Sequence, residues 1–387
     1  MGTPPPSGAE EIRVAVVQHE PQVAVTVRGR YRVLAVEGGQ VLHEGDALVR
    51  APVTVTAAGL RLGEVALPAE AIRIESLKHT VIHVDERRLR GVVEIFRESD
   101  RQLLVVNRLD LESYLAGVLR HESSEHWPME ALKAQAIISR TYALYQKLEL
   151  QRPGVSRLFD VTATVASQVY GGKQSERRRT NRAVQETAGI VLADDGRLFP
   201  AYFHATCGGH TEDAAQLWQV ELPPLRGRTC PYCRSSPHFA WRREIMQKDL
   251  VAKLRAHGAA MDRITAVSVP ERDPSGRAVR VRFEGPDGAV EVSGKDLRAW
   301  LGPSWLKSLL IEPRMEGYNV IFDGHGWGHG VGLCQWGASE MALQGRTVKE
   351  ILEFYYPGAT LYRLPEHPAT AATGDAPAAA NRKGETP

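Results

Sequence analysis

Between residues 12 and 106 the apolar positions come in short runs, several of them alternating with polar ones. Residues 13–18, 23–27, 31–36, 53–55 and 92–97 are rich in β-branched side chains, with glycine between many of the runs. Alternation sends successive side chains to opposite faces, as in strands with one buried face. A β-rich N-terminal domain over 11–106 is expected. Near residue 110 the period changes. Tyr114, Leu115, Val118 and Leu119 recur at helical spacing behind Asp110, whose carboxylate can cap a helix start. A second helix is expected from Pro128, a residue favoured in a first helical turn. It runs through EALKAQAIISRTYALYQKL, which has no internal Gly or Pro. The link between the helices, 121–127, holds Glu122 and Glu125 as well as His121 and His126.

Further along, helices are expected at 178–187, 247–257, 338–343 and 348–354. Strands are expected at 190–192, 200–204, 264–270, 278–283 and 289–292, the last two joined through a turn at 286–288. The fold class is therefore α+β: a β-rich N-terminal region followed by a mixed α/β region over 107–362, with a helix-plus-strand subdomain at 240–320. Residues 1–10 are rich in Pro and Gly, and the tail over 363–387 is rich in Ala, Pro and Thr. Both are expected to be disordered.

Composition narrows the function classes. A chain of 387 residues can hold two or three domains' worth of core. A net charge of +2 gives no reason to expect a nucleic-acid partner. No apolar run reaches the roughly eighteen residues of a transmembrane helix. The first residues show neither a basic n-region nor an apolar h-region, so no signal peptide is read in this chain. A cytoplasmic protein and an exported one with its signal trimmed both remain open. The 4 cysteines are too few for a disulfide scaffold of this size.

Three stretches carry candidate chemistry. The first is the acid-bearing link, where Glu122 sits at the expected end of a helix. The partial negative charge there disfavours an ionised carboxylate and raises its pKa, as a general acid needs. An exposed link glutamate can equally be a solvated surface group. The second stretch places Cys207 and His210 ahead of Cys230-Pro-Tyr-Cys233, with His204 and His238 flanking. Two such pairs offer four N/S ligands, the set preferred by structural zinc. A Cys230–Cys233 disulfide or unrelated buried thiols are the alternatives, and Cys334 is read as a small buried residue. The third is the segment 324–338, with glycine at alternate positions, flat faces at Trp327 and Trp336, and polar groups at His325, His329 and Gln335. It lacks the order of a phosphate loop. A glycan-binding segment and a tight structural turn both fit it.

Four blocks in order resemble the SpoIID/LytB family, the group of stage II sporulation protein D and the LytB amidase modifier. They are Glu122 with Trp127-Pro128, Glu130–Ala136 and Arg140-Thr-Tyr142; Asp160 with residues 168–172; Tyr202-Phe-His204 with Gly208, Gly209 and Thr211; and 324–338 followed by Tyr356-Pro-Gly358. Where members often read Glu-Met-Pro, this chain reads Glu122-Ser-Ser-Glu125. The resemblance implies a peptidoglycan lytic transglycosylase of the cell envelope. Such an enzyme cuts the MurNAc–GlcNAc β-1,4 bond and leaves 1,6-anhydro-MurNAc ends. It implies Glu122 as the acid/base, while the departure at this point adds Glu125 as a weaker candidate for the same role. Tyr170, His325, Trp327, His329, Gln335 and Trp336 would hold the glycan strand, either intact or stripped of its peptide stems. A cell-wall amidase is a possible partner. Two rival readings stand beside it: a non-catalytic peptidoglycan binder that stimulates an amidase, and a zinc hydrolase centred on the Cys/His cluster.

Overall fold

The computed structural model describes residues 10–78, 80–150, 157–164, 167–286 and 288–365. The expected loose ends lie mostly outside these. Where they do not, the chain is ordered. Glu10 pairs with Lys147, and Leu364 is buried and donates its N–H to the Gly189 carbonyl.

The chain is α+β, with its N-terminal region built from two sheets. One sheet runs in the order Val161–Thr162, Glu11–Glu20, Leu103–Asp110, Val92–Arg97, Ala71–Ser76, Tyr31–Ala35 and Val41–Gly45. The other is built on Gln22–Val27 and Leu48–Thr56. Alternation explains the shared core: Val23, Val25 and Val27 from one sheet meet Ile72, Ile74, Val93 and Ile95 from the other. Leu103–Asp110 is apolar on both faces because both are covered. Leu103, Val105 and Leu109 join the main core, and Leu104 and Val106 a smaller one with Ala15 and Phe96. This strand runs to Asp110, past the expected end at 106. Its first-strand partner is held to Val161–Thr162 by a buried Asp160 that takes the Arg13 guanidinium at 2.7 Å.

Asp110 ends that strand and starts α1 (Leu111–Glu122), accepting the Ser113 N–H at 2.9 Å. Then follow α2 (Met129–Leu150), α3 (Arg178–Glu186) and the short α4 (Ala214–Trp218). Arg140 of α2 is fully buried and grips Glu112 of α1 with two nitrogens, at 2.8 and 2.7 Å. The same arginine donates to the Ile190 carbonyl, so one side chain ties three elements together.

A third body follows. Ala240–Met246, Asn319–His325 and Leu310–Glu316 form one antiparallel sheet, and Ala266–Arg272, Ala278–Gly285 and Gly288–Ser293 another. With α5 (Gln247–Ala256) and α6 (Gly294–Leu301) they enclose a separate core around Leu250, Phe283, Leu297 and Phe322. The turn at 286–288 includes residue 287, which lies outside the described residues. The chain then returns to pack α7 (Gln335–Leu343) and α8 (Val348–Tyr355) against α2. Ala134, Ile137 and Ile138 meet Ala338, Met341, Ile351 and Tyr355 there. The strand expected over 200–204 shrinks to Phe203–His204, which pairs with Leu333–Cys334 and so joins the third stretch to the second.

Candidate active site and cysteine cluster

Glu122 is the last residue of α1, where the helix is stopped by Ser123 in an extended conformation. The Ser123 hydroxyl turns back to the Leu119 carbonyl, which leaves the Glu122 side chain directed into a cleft of about 540 Å³. Tyr142 of α2, Val169, Tyr202, Trp218 and His329 also line it, and Glu122 is the one carboxylate among the described lining residues. Burial pushes its pKa from the usual carboxylate range up to about 7, against the pull of the Val169 N–H, which donates to Oε1 at 3.1 Å. The cause is desolvation, whereas the sequence suggested the negative end of the helix. Glu125 does not line the cleft. Its carboxylate faces Arg120 at 3.8 Å, and its carbonyl accepts from Arg179.

The opposite wall is aromatic. Tyr202 and Trp218 lie with ring centres 4.5 Å apart, and Trp218 meets the His329 ring at 5.2 Å. Trp218 is 40% exposed and so presents a face to the cleft. His329 accepts the Val331 N–H on Nδ1, which places its proton on Nε2. Burial, and then the charges of Arg298 and Arg277, lower its pKa to about 4, so it is neutral near pH 7.

The alternating glycines let the segment 324–338 lie flat on the backbone of residues 202–207. At Gly332 (φ 71°) a Cβ would fall 2.0 Å from the Tyr202 carbonyl oxygen, and at Gly326 (φ 81°) 2.6 Å from that of Thr206. The residues between the glycines diverge. His329 enters the cleft. His325 and Trp327 do not: the first bonds the Phe239 carbonyl at 3.1 Å, and the second packs edge-on against His238 at 4.4 Å. Trp336 stands edge-on to Trp127 at 5.9 Å.

The cysteines give a different ligand set from the one expected. Cys207, Cys230, Cys233 and Cys334 are all buried, and their sulfurs lie within 4.8 Å of one another. The pairing of Phe203–His204 with Leu333–Cys334 carries Cys334 in, and the Cys207 N–H donates to its sulfur at 3.2 Å. His210 is outside the group, with Nδ1 turned to the Thr211 carbonyl at 2.6 Å. Tetrahedral zinc with Zn–S of about 2.3 Å sets sulfurs about 3.8 Å apart, so the four thiols fit the ion. With four protein ligands no position is left for a reactive water.

A model of the family described as stage II sporulation protein matches residues 99–193, and one for a domain of unknown function matches residues 232–332. An uncharacterised protein of Brachyspira hyodysenteriae is 32% identical over 90% of this chain and 92% of its own length. Stage II sporulation protein D of Bacillus amyloliquefaciens is 30% identical over 70% of this chain and 78% of its own. The chain belongs to the stage II sporulation protein D family. The amidase enhancer of Bacillus subtilis is 27% identical over 64% of this chain, which spans 40% of that longer protein.

Two residues of the SpoIID-like blocks have positions that a glycan contact does not explain. Tyr170 is 2% exposed, packs on Tyr114 and donates its hydroxyl to Asn107 at 2.9 Å. It belongs to the core. Gln335 is also buried, and its amide nitrogen donates to the Glu122 carbonyl at 2.7 Å and to Gln135 at 3.1 Å. It braces the end of α1 from the first turn of α7. Trp218, Tyr142 and Tyr202 line the cleft without standing out in the sequence as its walls. The Tyr142 and Tyr202 blocks carried a signal for the cleft, but nothing in sequence spacing points to Trp218.

Proposed function

We propose that this SpoIID-family chain is a lytic transglycosylase acting on peptidoglycan, with Glu122 as its single acid/base. Membership of the family supports a peptidoglycan-related role. The observation that carries the finer reading is a lone cleft carboxyl with a pKa raised to about 7. Ordinary glycosidases need two carboxylates, one on each side of the sugar. One suffices when the substrate supplies its own nucleophile. Protonated Glu122 gives its proton to the glycosidic oxygen as the MurNAc C1–O bond breaks. The resulting carboxylate takes the proton of the MurNAc C6 hydroxyl as that oxygen bonds to C1. The strand is cut without consuming water, the 1,6-anhydro ring closes, and Glu122 returns to its starting state. The faces of Trp218, Tyr202 and His329 would support the sugars. Zinc on the four thiolates would hold residues 207, 230, 233 and 334 together and supply no chemistry.

Mass spectrometry of peptidoglycan digested by the purified protein tests this directly. The expected product carries anhydro-muramyl ends, one water lighter than a hydrolysis product. The similarity to an amidase enhancer favours a second reading, a binder that stimulates an amidase. Intact glycan after digestion, with faster amidase turnover when the protein is added, would establish that one instead. The raised pKa sets the pH response of the first. The acid must begin protonated, so cutting is expected to fall as pH rises through about 7. A rate that climbs steadily from pH 6 to about 9 would rule out Glu122 as the acid.

A further inference from the structure

Trp218 and His329, which line the cleft, also line a second cavity of about 520 Å³. It lies between α4, α6 and the glycine segment. Its walls are mainly apolar, with Leu217, Pro303 and Leu309 among them, yet three cations reach it: Arg277, Lys295 and Arg298. No carboxylate is among its described lining residues.

The three cations differ in how their charge is met. Arg277 is buried beside Glu212, with an N–O separation of 3.8 Å, so it has an acidic neighbour of its own. Arg298 is half-buried and makes no ion pair among the described residues. Nε donates to the Leu306 carbonyl at 3.0 Å and Nη2 to the Lys307 carbonyl at 3.1 Å. These carbonyls aim the guanidinium without neutralising it. Nη1 makes no hydrogen bond among the described residues. Lys295 is exposed at the rim, and its ammonium group touches only the Leu217 carbonyl among the described residues. A half-buried guanidinium without a counter-charge is costly, and an arriving anion offsets that cost. Apolar walls around paired cations select an anion that carries apolar atoms with it.

We propose that this cavity is a second subsite of the glycan cleft and receives a carboxylate carried on a short apolar stub branching from the sugar chain, with Arg298 and Lys295 as its counter-charges. The proposal rests on the glycan-cleaving reading above. In such a strand only the muramyl sugar has the required branch. Its lactyl ether ends either in a free carboxylate or in a peptide stem that carries carboxylates of its own. The neighbouring N-acetylglucosamine is neutral. Seating the muramyl branch beyond Trp218 fixes which of the two alternating linkages lies against Glu122. The cavity thereby determines specificity while Glu122 does the chemistry.

The test uses the full chain carrying Glu122→Gln, so that no ligand is cut. Calorimetry compares chitotetraose, a GlcNAc–MurNAc tetrasaccharide with free lactyl groups, and the same tetrasaccharide with peptide stems. At least one charged ligand is expected to bind about tenfold or more tightly than chitotetraose, a margin that shrinks as salt is raised. Adding Lys295→Glu, or separately Arg298→Gln, is expected to remove the margin. An unchanged chitotetraose affinity in the same variant shows that the fold is intact. A margin confined to the free lactyl form identifies the lactyl carboxylate as the ligand, and one confined to the stem-bearing form identifies the stem. Equal affinity for all three ligands, or a margin that survives both substitutions, overturns the subsite. Its fate is separable from that of the parent reading. Anhydro products with no margin remove the subsite alone, whereas a margin with no anhydro products leaves a carboxylate-reading binder.

Discussion

Glu122→Gln is expected to lower the rate of glycan cutting by about 10²–10⁴-fold, the usual loss when a general acid/base is removed. The amide keeps the shape of the carboxyl and can still meet the Val169 N–H through its oxygen, but it cannot give or take the proton. Glycan affinity is therefore expected to persist. The substitution also has a signature in stability. The folded-state pKa of Glu122 is raised to about 7, above its unfolded value, so the native state binds the extra proton between the two values. Its contribution is fully present below the unfolded pKa and is lost as pH rises through about 7. The Gln variant has no such titration. It should unfold at higher denaturant than the wild type near pH 8, and the difference should vanish near pH 4. A variant that cuts at the wild-type rate would falsify the assignment. One that is inactive but lacks the alkaline gain in stability would point to misfolding.

The cysteine cluster carries the second large effect. The purified chain is expected to hold about one zinc, and Cys334→Ser to abolish it and destabilise the fold by more than about 4 kcal/mol, as losses of structural metals do. His210→Ala is expected to keep the metal, because His210 faces the Thr211 carbonyl and lies outside the four sulfurs. Elemental analysis of the two variants separates this ligand set from one built on His210. Absence of zinc from the wild type, together with a disulfide between any two of the four, would end the proposal. Because Gln335 follows Cys334 directly and holds the Glu122 carbonyl, loss of the metal should also slow cutting.

The parts that follow a local period were legible in the sequence. Alternation located the strands around Val23–Val27 and Val92–Arg97, and Asp110 marked the start of α1 through its own side chain. What the sequence left unread depends on long-range pairing. Cys334 stands about a hundred residues from Cys233, and only the pairing of Phe203–His204 with Leu333–Cys334 brings it to the cluster. The presence of 4 cysteines, one complete tetrahedral set, was the available hint. Tyr170 and Gln335 looked like ligand contacts because polar groups in a distinctive block invite that reading. Burial assigns them to the core and to the brace of Glu122. Strands such as Leu310–Glu316, with Pro313 inside and mixed charge around it, have too little alternation to read in isolation.

The pairing of Ala240 with His325 has a topological consequence. The Gly326 N–H donates to the Phe239 carbonyl at 3.1 Å, so the excursion of the chain between them starts and ends at one point. To the rest of the molecule, residues 240–325 are therefore equivalent to a hairpin turn, however much chain lies beyond the crossing. An excursion closed in this way can lengthen, shorten or change its content without altering the span its host must bridge, which is the geometry that makes inserted domains tolerable. The wall bearing His329 is thus built by a segment whose position is set at the neck of the excursion. The second cavity takes Arg277, Lys295 and Arg298 from the excursion and Leu217, Trp218 and His329 from outside it, so a change in the excursion's content would alter that cavity while leaving the lining of the Glu122 cleft untouched.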